Sequence, residues 1–204
     1  MEASDCFSHL EQRRRILRAT CEVVGRIPFA SVSVQLICDE CGISRSSFYR
    51  AFSSVKDIAY WYQLYCATLG CYQIGKSLNI VEGHTVSIGL LSEFSPVFGN
   101  LFRNWDYDFS LPAVTTHIEV MKDVLREHGV TVDAVAEYKL DGIARMAHRM
   151  IERWFNNGMD IPARELAEII ASQYPKDLRR VFDAPLSPME PTQVASMLLG
   201  AAPR

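Results

Sequence analysis

No uninterrupted apolar run in this chain approaches the roughly 18–20 residues that a membrane span needs, so no transmembrane segment is expected. A glycine-rich phosphate loop, a nucleophile elbow and a recognisable catalytic triad are all missing, and no enzyme is expected. The six cysteines fall irregularly and make no disulfide framework, which suits a reducing compartment. Glu2, Asp5 and Glu11 precede the Arg13-Arg14-Arg15 run, which only a short mixed segment follows, an order unlike a secretory signal, so a cytoplasmic location is expected. Internal repeats and low-complexity tracts are absent too.

What is present is ordinary globular material. The 204 residues are 49% apolar and 22% charged, enough for one domain or two small ones around a sizeable core. The net charge of −3 is unevenly spread. Residues 1–60 carry eight Lys/Arg against seven Asp/Glu, and residues 61–204 carry thirteen against seventeen. The early cations cluster at Arg13, Arg14, Arg15, Arg18, Arg45, Arg50 and Lys56. Salt screens charges beyond about 10 Å, so for phosphate contact such local clustering matters more than the total.

Periodicity predicts a helix over residues 8–25, with Leu10, Leu17, Cys21 and Val24 recurring at helical spacing and Gly25 to Pro28 ending it. Ser33 caps a second, short helix through Val34, Ile37 and Cys41, and Gly42 stops it. Ser44 caps a third through Phe48, Ala51 and Phe52. Ser54-Val55-Lys56-Asp57 has the form of a capping box and opens a long aromatic-rich helix to about Gly70. The alternation in Ala30–Val34 also permits a short strand, but no partner of matching pattern lies nearby.

Helix, short helix, glycine turn and short helix within about 45 residues is the layout of a helix-turn-helix, whose second short helix enters the DNA major groove. Phe48 and Ala51 face the small core in this reading, leaving Arg45, Ser46, Tyr49 and Arg50 outside. Arginine pairs with guanine edges or phosphate, and hydroxyls suit phosphate oxygens. A plain helical hairpin with solvated arginines fits the layout as well.

The stretch from Val34 through Cys38, Cys41, Gly42-Ile43-Ser44, Tyr49 and Phe52 resembles the DNA-binding domain of TetR-family transcriptional regulators, over roughly residues 10–60. Cys38 and Cys41 stand at the family's two alanine positions, and Tyr49 with Phe52 matches its Tyr-x-x-Phe helix end. The Pro28-Phe29 entry, the Ser44–Tyr49 run and Trp154-Phe155-Asn156-Asn157-Gly158 are similar to regulators of dihydroxyacetone kinase. Val55-Lys56 stands where many relatives have Lys-Glu, so the usual lysine contact to phosphate is displaced by one residue. The resemblance implies DNA contact by Ser33, Gln35, Ser44, Arg45, Ser46, Ser47, Tyr49, Arg50 and Lys56.

The remaining chain reads as helices. Trp61, Tyr62, Tyr65, Leu69 and Tyr72 make an aromatic face on the fourth. A segment begins at Gly83-His84 and breaks near Pro96, and another opens at Pro112 and ends at His128-Gly129. A long helix over Val132–Asn157 carries Val132, Ala136, Leu140, Ile143, Ala147, Met150, Ile151 and Trp154 on one face. Its other face holds Glu137, Asp141, Arg145, His148 and Glu152, whose alternating charge suits solvent rather than metal. A last helix runs from Pro162 to Tyr174 with Leu166, Ile169 and Ile170 inward, before a proline-containing tail. Cys38-Asp39-Glu40-Cys41 lacks a second pair and reads as small core residues, and His117-Ile118-Glu119 lacks the Pro-Cys-x-x-Cys of a deaminase.

The expectation is an all-α protein: a helix-turn-helix DNA-binding domain over 1–54, a helical ligand-binding and dimerisation domain over 55–182, and a tail over 183–204. The resemblance implies a homodimeric, operator-binding regulator, repression being the expected direction, tuned by a small-molecule effector and needing no cofactor or metal. It places Trp61, Tyr65, Phe94, Phe98, Trp105, Phe109 and Tyr138 as candidates for the effector pocket. For the dimer interface it places Ile143, Ala147, Met150, Ile151, Trp154, Leu166, Ile169 and Ile170. The alternative is a ligand-binding co-regulator that acts through a protein partner without touching DNA.

Overall fold

In a computed structural model, which describes residues 3–104 and 110–190, the first predicted helix forms as α1, Ala3–Val24. Ile16, Leu17, Ala19, Val23 and Val24 make its buried stripe. The Ala30–Val34 alternation builds no strand. A 3₁₀ turn over Phe29–Ser31 buries the Phe29 ring, and extended Val32 leads into Ser33. Three helices follow: α2 (Val34–Cys41), α3 (Arg45–Ala51) and α4 (Val55–Leu69). The Ser54 box closes differently from its pattern. Ser54 Oγ accepts the Asp57 N–H at 3.3 Å, but the Asp57 carboxylate reaches back to the Ser53 N–H at 3.1 Å. Tyr72 lies past the end of α4, in a 3₁₀ turn over Cys71–Gln73.

Two helices follow the fourth, α5 (Ile80–Ser92) and α6 (Ser95–Asn104); the break falls at Glu93-Phe94, and Pro96 sits inside the first turn of α6. The α5 start precedes Gly83 because Asn79 and Glu82 form a reciprocal capping box, each accepting the other's backbone N–H at 2.9 Å. Four helices complete the described chain: α7 (Ser110–Glu127), α8 (Ala134–Asn156, capped by Asp133), α9 (Ala163–Ser172) and α10 (Lys176–Phe182). The last adds a helix beyond the expected end at Tyr174, and Pro175 begins it. Among the described residues no strand occurs, and no helix is long and apolar enough to cross a membrane.

The described residues divide into two compact units. One comprises the chain up to Gln63 together with Phe94–Asn104, so α6 belongs with the first helices despite the thirty residues between. Here the Tyr62 ring meets Phe94 edge-on at 4.8 Å, and Asn100 Oδ1 accepts the Phe29 N–H at 3.2 Å. Burial pushes the Cys21 thiol up to about 12, against the smaller effect of its bond to the Val97 backbone.

The second unit holds Leu64–Glu93 and the described residues from Ser110 onward. Its tightest point is glycine-made. A Cβ on Gly70 would stand 2.3 Å from Ser87 Oγ and 2.5 Å from the Gly83 carbonyl oxygen. That approach lets Ser87 Oγ accept the Cys71 N–H at 2.8 Å and donate to the Cys66 carbonyl at 3.2 Å. The end of the described chain is tied down, since the N–H groups of Leu186, Ser187 and Met189 bond to the carbonyls of Gly75, Lys76 and Ser77.

Candidate nucleic-acid interface

The site begins with a stop at Gly42 and a start at Ser44, two residues on. Gly42 takes φ +64°, the left-handed conformation that ends α2 without a Cβ penalty. Ser44 then accepts the Ser47 N–H at 3.1 Å and satisfies one of the first free donors of α3. Ser33 does the same for α2 through Leu36. These two caps and one glycine set where the short helices start and stop.

Phe48 is fully buried and anchors α3, with the Phe52 ring 6.2 Å away and Trp61 5.8 Å from Phe52. The Arg13 guanidinium lies over both, 5.2 Å from the Phe52 centroid and 5.5 Å from Trp61, a cation–π arrangement that ties α1 to the end of α3. Ala51 is half-buried. Arg45, Ser46, Tyr49 and Arg50 are exposed, as expected, and Ser47 is half-buried beside them. Ser33, Gln35, Ser44 and Lys56 are exposed too.

Hydrogen bonds hold part of this surface in place. Ser44 Oγ lies 2.8 Å from Ser46 Oγ and donates to Ser47 Oγ at 3.0 Å, and Arg50 Nη2 donates to Ser47 Oγ at 2.9 Å. Gln35 donates to Asp39 at 2.7 Å, and Arg26 pairs with Glu40. From α1, Arg15 donates to the Cys41 carbonyl and Gln12 to the Ser47 carbonyl. Cys38 and Cys41 are buried on the core face of α2, where burial raises the Cys38 thiol above its ordinary value.

The residues expected to line an effector pocket scatter. Phe94 and Phe98 are core of the first unit against Tyr62, and Trp61 packs on Phe52 there. Tyr65 is half-buried in the second unit. Tyr138 is 84% exposed, because α8 turns Ala136, Leu140, Ile143 and Ala147 inward and position 138 points the other way. Trp105 and Phe109 lie outside the described residues.

The residues expected at a dimer interface are also redistributed. Ile143, Ala147, Trp154, Leu166 and Ile170 are buried within the second unit itself, where α8 packs on α7 and α9. Trp154 donates its indole N–H to the Ile161 carbonyl at 2.7 Å. Met150 and Ile151 are half-buried, and Ile169, expected to face inward, is 41% exposed.

Sequence reasoning passed over a polar island in the second unit. His84 and Tyr174, ninety residues apart, share a hydrogen bond at 3.0 Å, and the His117 ring lies 6.3 Å from His84. All three are buried, and His84 Nδ1 and His117 Nε2 have no hydrogen-bond partner. Burial first, and the neighbouring imidazole second, pushes His84 down to about 3. Burial, with a smaller push from His148, holds His117 at about 4. Both rings are therefore neutral near pH 7. The signal was visible only as a histidine at helical spacing from Ile88 and Leu91.

Residues 16–59 match the family model described as "Bacterial regulatory proteins, tetR family". The fold is similar to that of a dihydroxyacetone kinase operon activator, DhaS, with a TM-score of 0.62 and 14% identity over 84% of this chain and 98% of that one. It is also similar to a tetR-family transcriptional regulator from Streptomyces coelicolor, with a TM-score of 0.53 and 19% identity over 93% of this chain and all of that one. At such identities the likeness is one of fold. No curated protein matches the chain in sequence. Over residues 16–59, which hold the helix-turn-helix, the chain is similar to the tetR family of bacterial regulatory proteins.

Proposed function

We propose that this chain is an operator-binding transcriptional repressor, cytoplasmic and homodimeric, whose DNA affinity is changed by a small molecule. The observation that carries the DNA reading is α3 itself. A serine-capped helix follows a left-handed glycine turn, is pinned by one buried ring, and presents Arg45, Ser46, Tyr49 and Arg50 together to solvent. Such a helix docks in the major groove with its first residues foremost, and the hydroxyls and guanidiniums supply phosphate contacts and base readout.

Support for the dimer comes from apolar side chains left exposed on α8 and α9: Val135 at 60%, Tyr138 and Ile169. For the effector it comes from the His84–His117–Tyr174 island, whose two unpartnered imidazole nitrogens are buried in the second unit. The chain passes between the two units at Gln63, at Glu93 and after Asn104, so α6 is covalently joined to the second unit at both ends. A ligand that favours one arrangement of the second unit acts on the first through those joins, provided it binds the two arrangements unequally.

The test is a mobility shift on DNA taken from upstream of the chain's own coding sequence, at two salt concentrations. A repressor gives a discrete complex that weakens steeply with salt. Absence of any shift, with the protein folded and dimeric, favours a co-regulator that acts through a protein partner.

A further inference from the structure

We infer that Gln12 and Arg15 of α1 are positioning residues that fix the angle of α3 for specific DNA reading, an inference that rests on the DNA-binding function proposed above. The two side chains lie three residues apart and so project from one side of α1. Arg15 Nη2 donates to the carbonyl of Cys41, the last residue of α2, at 2.7 Å. Gln12 Nε2 donates to the carbonyl of Ser47, in the first turn of α3, at 3.3 Å. The two acceptors bracket the Gly42 turn and the Ser44 cap, so one helix grips the backbone on both sides of the turn.

Both bonds answer a need. The last carbonyls of a helix have no partner within it, and the Cys41 carbonyl is one of these. A bond from a charged guanidinium is also roughly twice as strong as a neutral one. A carbonyl oxygen has two lone pairs, so Ser47 accepts from Gln12 without giving up its place in α3. The turn leaves room for the arm, since a Cβ on Gly42 would still stand 3.9 Å from Arg15 Nη2. Gln12, Arg15, Arg18, Ile43 and Ser47 line the groove that the two donors cross.

Apolar packing alone leaves α3 under-determined. Phe48 alone is buried among its seven residues, with Phe52 buried just past its end, and rings on that one side only weakly restrain rotation about the helix axis. Base readout needs side chains held to within about 0.5 Å. Two polar tethers from a single rigid helix remove that rotation. Non-specific binding needs no such precision, because it rests on charge near phosphate.

This separates positioning from direct phosphate contact by Arg15, which is itself exposed. A duplex is first selected from a random library by the wild-type full chain, and an unrelated duplex of equal length serves as the control. Affinity for each is measured at three salt concentrations for the wild type, Gln12→Ala, Arg15→Gln and Arg15→Lys, with a melting curve for each protein. Positioning predicts that Gln12→Ala and Arg15→Gln lose about tenfold on the selected duplex, the loss of a net hydrogen bond's worth of fit. The same variants bind the control duplex as before with an unchanged salt slope, and Arg15→Lys recovers part of the loss. An equal loss on both duplexes, with a slope shallower by about 0.9 for each contact removed, makes Arg15 a phosphate ligand and overturns the inference. Unchanged affinity for the selected duplex in Gln12→Ala also overturns it, and that uncharged variant decides the matter if Arg15→Gln fails to fold. If the wild type selects no duplex at all, the DNA-binding function falls first, before any variant is made, and positioning for it falls too.

Discussion

Acid destabilises the second unit through two histidines, and the size of the effect follows from their burial. His84 and His117 are pushed down to about 3 and about 4, whereas an unfolded chain holds a histidine near 6.5. A depressed folded value means that the unfolded chain binds the proton first. The stability these rings contribute is therefore complete above about pH 6.5 and is lost as the pH falls toward their folded values. At pH 5 an unfolded imidazole is almost wholly protonated and its folded counterpart almost wholly neutral. Each ring then costs up to about 2 kcal/mol relative to pH 8, and the pair up to about 4 kcal/mol. Between about pH 4.5 and 6 the slope approaches 2.7 kcal/mol per pH unit, two protons' worth. A domain holds about 5–15 kcal/mol in total, so much of its margin disappears without any acidic group being involved.

Urea unfolding followed by far-UV circular dichroism at pH 8, 6 and 5 measures this, and His84→Gln supplies the control. Glutamine keeps a donor for the Tyr174 hydroxyl but does not titrate, so the variant's stability should fall with acid by about 1.4 kcal/mol per pH unit less than the wild type's. Carboxylates and the partly buried His148, whose affinity for protons is also lowered by burial, contribute equally to both proteins and cancel. Identical pH dependence in the two proteins would refute the reasoning, because it would mean that His84 is protonated as easily folded as unfolded.

Other outcomes follow from single contacts. Arg45→Ala should weaken binding evenly over an operator library and make the salt dependence shallower by about 0.9 per head, the signature of a phosphate contact, whereas a loss at one base pair per half-site would make Arg45 a base reader. Ile169→Glu should dissociate the proposed dimer in sedimentation without lowering the melting temperature, because that side chain is exposed. Trp154→Glu should instead unfold the second unit, since it buries a charge and removes the bond to the Ile161 carbonyl; a dimer that dissociates into fully stable monomers would return Trp154 to the interface. Gly70→Ala should cost about 1–3 kcal/mol in a denaturation curve, because the Gly83 carbonyl and Ser87 leave no space for a methyl group.

The helix-turn-helix was legible in the residues alone because everything that defines it is local. Ser33 and Ser44 cap helices by bonding three residues onward, Gly42 supplies a conformation that other residues resist, and Phe48 falls at the one inward position of a short helix. The same locality explains why the helix expected over Val132–Asn157, whose apolar period is long and regular, forms as Ala134–Asn156 with Val132 ahead of its Asp133 cap, and why α10 is too short to show a period. What a periodic face meets is a different matter, because an apolar stripe states only that something covers it. Only the tertiary structure turned the α8 face inward against α7 and α9, left Tyr138 and Ile169 outside, and drew α6 into the first unit. It alone brought His84 to Tyr174 and set Gln12 and Arg15 against carbonyls 35 and 26 residues away. Such pairings depend on how whole helices pack, and no spacing within either partner carries that information.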